Sequence, residues 1–476
     1  MADPAPAVPP AAGHTGGHHT GGHHTGRRDL ILAACMMATF MAAVESTIVA
    51  TAMPTIVAEL GDFHLFSWVF SAYLLPQAVS VPIYGRLADL YGRRRVFYVG
   101  AGLFLIGSTL CGFAHDMPML IACRVLQGMG AGAVQPLAYT IVGDIYTPTE
   151  RARVQGLLSS VFGVSAIVGP SLGAFLVEHV SWAAVFWVNL PIGLAAMAML
   201  TAFYREQPRN KAHRIDYAGA ALLTVGGGLL MLALVQGASL ARGTLAFCIG
   251  VGAAAMAALA WHERRVAEPM LPFRLWRHRM VALSGLGSFT IGALMMGVVG
   301  FLPAYVQTVM DLGALAAGLA LGAMSVSWAV ASFAAGQLMI RTSYRTTATI
   351  GGLGLLSGSL LLLAMTPHSG VLWAGAGALL VGIGMGCCNT TYLVSVQAAV
   401  DWHERGAATS SNMFMRIVGQ AVGAALFGAM VNITLSLGAP LPAALGNLYF
   451  LSTALGIAAV VLALRWPVGL GPTHSR

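Results

Sequence analysis

The sequence predicts an all-α protein that crosses a membrane many times. Three observations predict this fold class: the composition, a series of long apolar runs and the one-sided placement of basic residues. Hydrophobic residues make up 57% of the 476 residues, charged residues make up 9%, and the mean hydropathy is +0.76. So much apolar surface cannot be hidden behind a water-soluble exterior, and the bilayer is therefore the expected solvent.

Fourteen apolar runs are long enough to cross a hydrocarbon core about 30 Å thick. They lie at 30–53, 66–87, 96–114, 118–143, 154–177, 183–204, 216–237, 244–262, 281–306, 312–340, 347–366, 371–399, 407–434 and 445–465. Each is expected to be a helix, because backbone polar groups in lipid must be hydrogen-bonded within the segment.

The basic residues predict how these spans are oriented. If the N-terminus lies in the cytoplasm, all but three of the 25 Lys and Arg residues fall on the cytoplasmic side, the exceptions being Arg124, Arg242 and Arg416. By the positive-inside rule this orientation is favoured, and an even number of spans places both termini in the cytoplasm. The net charge of +8 follows from this topology and gives no reason to expect a nucleic-acid partner.

The predicted spans divide into two groups of six. The expected units are a disordered His/Gly-rich cytoplasmic tail at 1–28, a six-helix bundle at 29–205, two additional helices with cytoplasmic linkers at 206–280, a second six-helix bundle at 281–466 and a short tail at 467–476. Paired histidines in the first tail could hold a transition metal, although a flexible tail without metal is the preferred interpretation. Two bundles of equal size are typical of secondary transporters, in which the binding site lies between the repeats.

The densest charge cluster begins at Gly85 and lies between spans 2 and 3. Gly85 is expected to allow close helix packing, and Gly92 a tight turn. The pattern Gly-x-Leu-Ala-Asp-x-x-Gly-Arg-Arg resembles motif A of the major facilitator superfamily. The resemblance implies a cytoplasmic gate, in which Asp89 faces a helix N-terminus of the second bundle and Arg93 pairs with Asp144.

Two charged residues fall well inside predicted spans and at one depth. A rise of 1.5 Å per residue puts Glu45 about 22 Å, and Arg124 about 21 Å, above the cytoplasmic face. Charge inside a membrane is costly and indicates function. A buried carboxylate beside an arginine suits a reversible proton carrier, whereas a static ion pair, or a Glu45 that reaches to the outer face, is the structural alternative.

Further resemblances lie in spans 1, 4 and 5. The stretch beginning at Arg124 resembles motif B of the same superfamily, and the stretch around Glu45 resembles the span-1 signature of its fourteen-span drug:proton antiporters. Glu45 stands where that signature has Asp, and Ala50 where it has Asn. Span 5 resembles the antiporter motif, motif C, at Gly156, Gly169, Pro170 and Gly173, with Ser165 and Ala174 in place of two of its glycines. These resemblances imply the major facilitator fold, proton coupling through Glu45 and Arg124, and export.

Polar and aromatic residues inside other spans are candidates for a substrate cavity between the bundles. They are Gln127, Gln135, Tyr139, Tyr305, Gln307, Asn389, Asn412, Arg416 and Gln420. The residues at 412, 416 and 420 recur on one face of a helix. Since polar groups facing lipid are costly, this stripe is expected to face the cavity or a neighbouring helix.

The expected function is proton-coupled export of amphipathic, cationic or neutral organic molecules by a monomer in the plasma membrane. The expected partners are these small molecules, protons and the bilayer; no metal or cofactor other than the proton is expected. An enzyme is not indicated, since there is no Walker loop and no set of nucleophile, base and orienting residue. The alternatives are a transporter of the same fold for a lipid or a specific metabolite, in either direction, and a membrane receptor.

Overall fold

The computed structural model describes residues 21–146, 148–206, 216–237, 240–266, 274–400 and 405–467, and within these ranges the regular structure is helical throughout. Fifteen α-helices lie in this described part: α1 Gly21–Leu60, α2 Phe66–Tyr91, α3 Arg93–Cys111, α4 Met117–Ile145, α5 Pro148–His179, α6 Ala184–Trp187, α7 Asn189–Phe203, α8 Tyr217–Gln236, α9 Arg242–Glu263, α10 Arg279–Thr308, α11 Ala314–Arg341, α12 Tyr344–Leu363, α13 Gly370–Ala398, α14 Arg405–Ser436 and α15 Leu441–Leu464.

Twelve helical segments of the described residues are long and apolar enough to cross a membrane, with α6 and α7 forming one of them. Helices also occupy the two remaining predicted spans, as α3 and α5. Three arginines in the first turn of α3 lower its mean hydropathy. The first two turns of α5 also contain charged residues, which lower the mean hydropathy of that helix. The all-helical membrane fold is confirmed, while the count of fourteen spans stays a prediction.

Helix α1 begins at Gly21, so it extends into the segment that was expected to be part of the tail. The ends of two other helices hold this extension. Arg27 Nε donates a hydrogen bond to the carbonyl of Phe203 (2.7 Å), and the Tyr146 hydroxyl donates to the carbonyl of Arg28 (3.2 Å). The rest of the predicted N-terminal tail, and residues 468–476, lie outside the described residues.

The helices form two bundles and an additional pair. Helices α1–α7, here the N-bundle, pack on one another, and so do α10–α15, here the C-bundle. Helices α8 and α9 pack together, and α8 also contacts α2 of the N-bundle and α14 of the C-bundle. The additional pair therefore lies beside the junction of the two bundles.

The bundles meet through α1, α2 and α5 on one side and α10, α11 and α14 on the other. We call the end at which α1 finishes and α2 begins the outer end, following the predicted topology. Hydrogen bonds there run from Gln307 Nε2 to Thr51 O (3.2 Å), from Asn432 Nδ2 to His64 O (3.0 Å) and from Leu315 N to Glu178 Oε1 (3.2 Å). Direct contact between the bundles thus closes the outer side.

Candidate functional site

A buried polar network lies inside the N-bundle, with Glu45 and Arg124 at its centre. The two residues are 0% and 1% exposed. Arg124 Nη1 contacts Glu45 Oε1 directly, as an ion pair between α4 and α1. The pairing expected from equal depth is therefore present in the fold.

Arg124 also has partners that do not depend on Glu45. Its Nη1 donates to Gln127 Oε1 (2.7 Å), and its Nε donates to the carbonyl of Val69 on α2 (3.1 Å). Its guanidinium carbon lies 4.1 Å from the centre of the Tyr73 ring, in cation–π geometry. Gln127, expected to line a substrate cavity, is 0% exposed and belongs to this network.

The second oxygen of Glu45 is held by Asn189 at the start of α7. Asn189 Nδ2 donates to Glu45 Oε2 (2.7 Å) and to Ser108 Oγ (3.0 Å). Gln127 Nε2 also donates to Ser108 Oγ (3.1 Å), and the Ser108 hydroxyl donates to the carbonyl of Phe186 (2.7 Å). Asn189 Oδ1 is buried and accepts no hydrogen bond from any described residue.

Asn189, Ser108 and Tyr73 were not expected from the sequence. Asn189 left a weak signal, as a single amide in an apolar run. Ser108 left none, because its position depends on how α3 and α4 pack. Gly107 permits that packing, since a Cβ there would lie 2.8 Å from the Cβ of Gln127.

The antiporter motif on α5 packs against α1 beside Glu45. Gly169 faces the side chain of Thr47, and a Cβ at Gly173 would lie 3.0 Å from the carbonyl oxygen of Ile48. Both contacts lie within one turn of Glu45 along α1. The small residues of the motif therefore serve close packing of α5 on the helix that carries the carboxylate. The surroundings of Gly156 lie outside the described residues.

The same region of α5 also contacts α11 of the C-bundle. A Cβ at Gly318 would lie 3.0 Å from the carbonyl oxygen of Pro170. Nearer the outer end, Glu178 Oε1 accepts the backbone N–H of Leu315, in the first turn of α11. A carboxylate at this position is favourable toward the helix dipole. Helix α5 therefore links the surroundings of Glu45 to the outer closure.

The expected cytoplasmic gate is described in part. Gly92 has φ = 94°, and it separates α2 from α3 by the tight turn that the sequence predicts. Arg93 and Asp144 form an ion pair, as expected. A Cβ at Gly85 would meet no described atom within 4 Å, so the close helix packing expected there is not found. The side chain of Asp89 lies outside the described residues.

Glu206 contacts residues of the expected gate, although no pattern in the sequence pointed to it. Its carboxylate accepts the backbone N–H groups of Arg93 and, at 3.3 Å, of Arg94. Arg94 Nη1 in turn donates to the carbonyl of Tyr204 (3.2 Å). Glu206 thus caps the N-terminus of α3 from 113 residues away, a distance over which no local pattern gives a signal.

The other residues predicted to line a substrate cavity lie in different parts of the fold. Gln307 joins the bundles through Thr51, as described above. Tyr305 is buried in the C-bundle, where its hydroxyl donates to the carbonyl of Met365 (3.3 Å). Gln135 and Tyr139 are half-buried on α4.

The polar stripe on α14 reaches three different neighbours. Asn412 Nδ2 donates to the carbonyl of Ser284 (3.1 Å), and Gln420 Nε2 approaches Met295 Sδ (3.2 Å), both on α10. Between them, Arg416 Nη1 donates to Asn389 Oδ1 on α13 (3.2 Å). The stripe therefore consists of two residues bound to α10 and an arginine that points elsewhere.

A shallow apolar groove of about 260 Å³, open on one side, lies between the inner halves of α1 and α5. Its lining residues are Met36, Met37, Phe40, Val161 and Val164. Phe40 precedes Glu45 by little more than one helical turn. The groove is therefore a short distance inward of the polar network.

Comparison with known proteins gives consistent matches over most of the chain. The family model described as Major Facilitator Superfamily matches residues 35–424. "Multidrug resistance protein 3" of Bacillus subtilis (strain 168) is 34% identical over 401 residues, which is 84% of this chain and 78% of that protein. "Multidrug transporter protein MdtP" of the same strain is 32% identical over 409 residues, 85% of this chain and 76% of that protein. The crystal structure of a D-xylose-proton symporter has a similar fold, with a TM-score of 0.66 at 13% identity, over 92% of this chain and 97% of that chain.

Proposed function

This chain belongs to the Major Facilitator Superfamily and is a multi-pass membrane transporter rather than an enzyme, and we propose that it is a proton-coupled exporter of amphipathic organic compounds. The observation that carries the proposal is the buried carboxylate of Glu45, held between Arg124 and Asn189. We further propose that it acts as a monomer in the plasma membrane, with the proton as its coupling ion and no other cofactor.

The network around Glu45 offers hydrogen bonds to both protonation states of this carboxylate. When Glu45 is ionised, it accepts from Arg124 and Asn189. When Glu45 is protonated, rotation of the Asn189 side-chain amide by 180° presents its Oδ1, which accepts no other hydrogen bond from the described residues, to the Glu45 hydroxyl. In either protonation state of Glu45, Arg124 retains its contacts with Gln127, the Val69 carbonyl and the Tyr73 ring.

Protonation of Glu45 is coupled through α5 to the contact that closes the outer side. Protonation removes the charge attraction between α1 and α4 and frees α1 to shift against its neighbours. Gly169 and Gly173 pack on α1 beside Glu45, while Pro170 and Glu178 contact α11 of the C-bundle. A shift of α1 is therefore passed to the contact that closes the outer side, as alternating access requires.

The substrate class is supported by two further observations. The open groove between α1 and α5 is lined by Met, Phe and Val side chains, which suit the apolar part of an amphipathic molecule. Relatives at 34% and 32% identity are named as multidrug proteins. Export is favoured over import by the resemblance of span 5 to the antiporter motif.

The proposal is tested by dye transport in everted membrane vesicles, with and without an imposed proton gradient. We expect the native chain to accumulate dye only with the gradient, and Glu45→Gln to lose this dependence. Glu59→Gln is the matched control, because Glu59 lies on the same helix and accepts from Trp182 Nε1 (2.8 Å) near the outer end. Gradient-independent transport by the native chain would refute proton coupling, and full coupling in Glu45→Gln would refute the role of Glu45.

We also propose that α3 and α5 are membrane spans, which gives fourteen spans and two cytoplasmic termini. His115, between α3 and α4, is then outside; its side chain is 76% exposed. A His115→Cys variant in intact cells should react with a membrane-impermeant maleimide. Reaction only after permeabilisation would contradict this topology.

A further inference from the structure

Arg416 is a charged residue inside a predicted span without a counter-ion among the described residues. No described carboxylate lies within 4.0 Å of its side-chain nitrogens, a separation at which Arg124 and Glu45 do form a pair. Glu45, the carboxylate deepest in a predicted span, is already bound by Arg124 and Asn189. An unpaired guanidinium in a membrane is costly, so its position calls for a ligand.

One edge of the Arg416 guanidinium has no hydrogen-bond acceptor among the described residues. Within the described residues its single hydrogen bond is the one from Nη1 to Asn389 Oδ1. Its Nε is buried and has no hydrogen-bond partner in the described part of the chain, although the side chain as a whole is half-buried. The edge formed by Nε and Nη2 is the fork that binds a carboxylate through two parallel hydrogen bonds.

Arg416 also lies on the helix of the C-bundle that packs against α2 of the N-bundle. Five residues further out along α14, the carbonyl of Ala421 accepts a hydrogen bond from Ser71 Oγ on α2 (3.5 Å). Arg416 is therefore located on the inner side of a contact that closes the outer half.

We propose that Arg416 binds the carboxylate of amphipathic organic anions, and that such anions are substrates of this transporter. The inference rests on the proposed exporter function and narrows its substrate class. The sequence favours cationic or neutral molecules, because Glu45 is the acidic residue that it places well inside a span. In the fold that carboxylate is paired with Arg124, and among the described residues the intramembrane charge without a counter-ion is the positive charge of Arg416.

Binding to the purified protein in lipid nanodiscs tests the proposal. The probes are dansylaminoundecanoic acid and its uncharged primary amide, which differ only in the charged group. Because a hydrogen bond to a charged group contributes more than a neutral one, we expect the acid to bind about tenfold more tightly than the amide. Arg416→Gln should bind both equally, and Arg416→Lys, which lacks the planar fork, should keep about a threefold preference.

A second variant keeps the test informative if Arg416→Gln does not fold. Asn389→Asp places a carboxylate beside the guanidinium, and it should abolish the preference for the acid without removing the arginine. Equal affinity of the native protein for acid and amide would overturn the proposal, as would an acid preference that survives in Arg416→Gln or Asn389→Asp.

Glu45→Gln separates this inference from the proposed function. It should bind the acid as the native chain does, while losing gradient-driven transport of the same probe in vesicles. Preferential binding without gradient-driven transport in the native chain would refute the coupled exporter and leave the anion site standing. If the native chain transports both acid and amide in response to the gradient but binds them with equal affinity, the anion site is refuted and the coupled exporter stands.

Discussion

Replacing Glu45 by Ala should destabilise the N-bundle far more than replacing it by Gln. Alanine leaves Arg124, which is 1% exposed, without its counter-ion. Removing one partner of a buried pair typically costs about 3–5 kcal/mol, although the contacts of Arg124 with Gln127 and Tyr73 place this case toward the lower figure. Glutamine instead accepts from Arg124 and donates to the free Oδ1 of Asn189, so its cost is that of a weakened hydrogen bond, about 1 kcal/mol.

Thermal unfolding in detergent, followed by circular dichroism, measures this difference. A gap of about 2–3 kcal/mol corresponds to roughly 4–12 °C in Tm, at 2–4 °C per kcal/mol for a domain of 150–250 residues. The double variant Glu45→Ala/Arg124→Met removes both charges, and it should recover most of the stability lost in Glu45→Ala. Equal Tm values for Glu45→Ala and Glu45→Gln, or a double variant less stable than Glu45→Ala, would refute the view that Arg124 depends on this carboxylate.

Three further predictions concern the contacts at the two ends of the bundles. Gly318→Leu should separate α5 from α11 and increase the labelling of the outer half by an impermeant maleimide, whereas Gly322→Leu, where a Cβ meets no described atom within 4 Å, should not. Glu178→Ala should remove the cap of α11. The loss costs about 1 kcal/mol and should shift the equilibrium about fivefold toward the outward-open form, measured by the same maleimide labelling. Unchanged labelling would contradict a role of Glu178 in closing the outer side. Glu206→Ala should lower the stability of the N-bundle by about 1 kcal/mol, and Glu206→Gln by less, because the amide oxygen still accepts from the start of α3; equal Tm values for both variants and the native chain would exclude a cap.

The sequence was informative about depth along the membrane. Helical rise and bilayer thickness are nearly constant, so residue numbers alone place Glu45 and Arg124 at one level, and the fold brings them into contact. The tight turn at Gly92 follows equally directly, since a positive φ between two helices requires glycine. Local patterns also sufficed for the ion pair of Arg93 with Asp144, which a known motif suggested.

The sequence was not informative about which face of each helix meets a neighbour. Most of these helices are apolar on all sides, so periodicity does not distinguish buried faces from those toward lipid. Gln127 was therefore assigned to a cavity, although it lies in the buried network, and the close packing expected at Gly85 is found instead at Gly107, Gly173 and Gly318.

By itself, the sequence determined that the chain crosses a membrane as helices, which superfamily it resembles and which two charges lie at one depth. These properties follow from composition, local spacing and fixed helical geometry. Only the tertiary structure decided that Asn189 and Ser108 complete the network of Glu45, that Glu206 caps α3 and that no carboxylate of the described residues pairs with Arg416. Each of these depends on the rotation of helices distant in sequence, and that rotation is set by packing between them rather than by any local pattern.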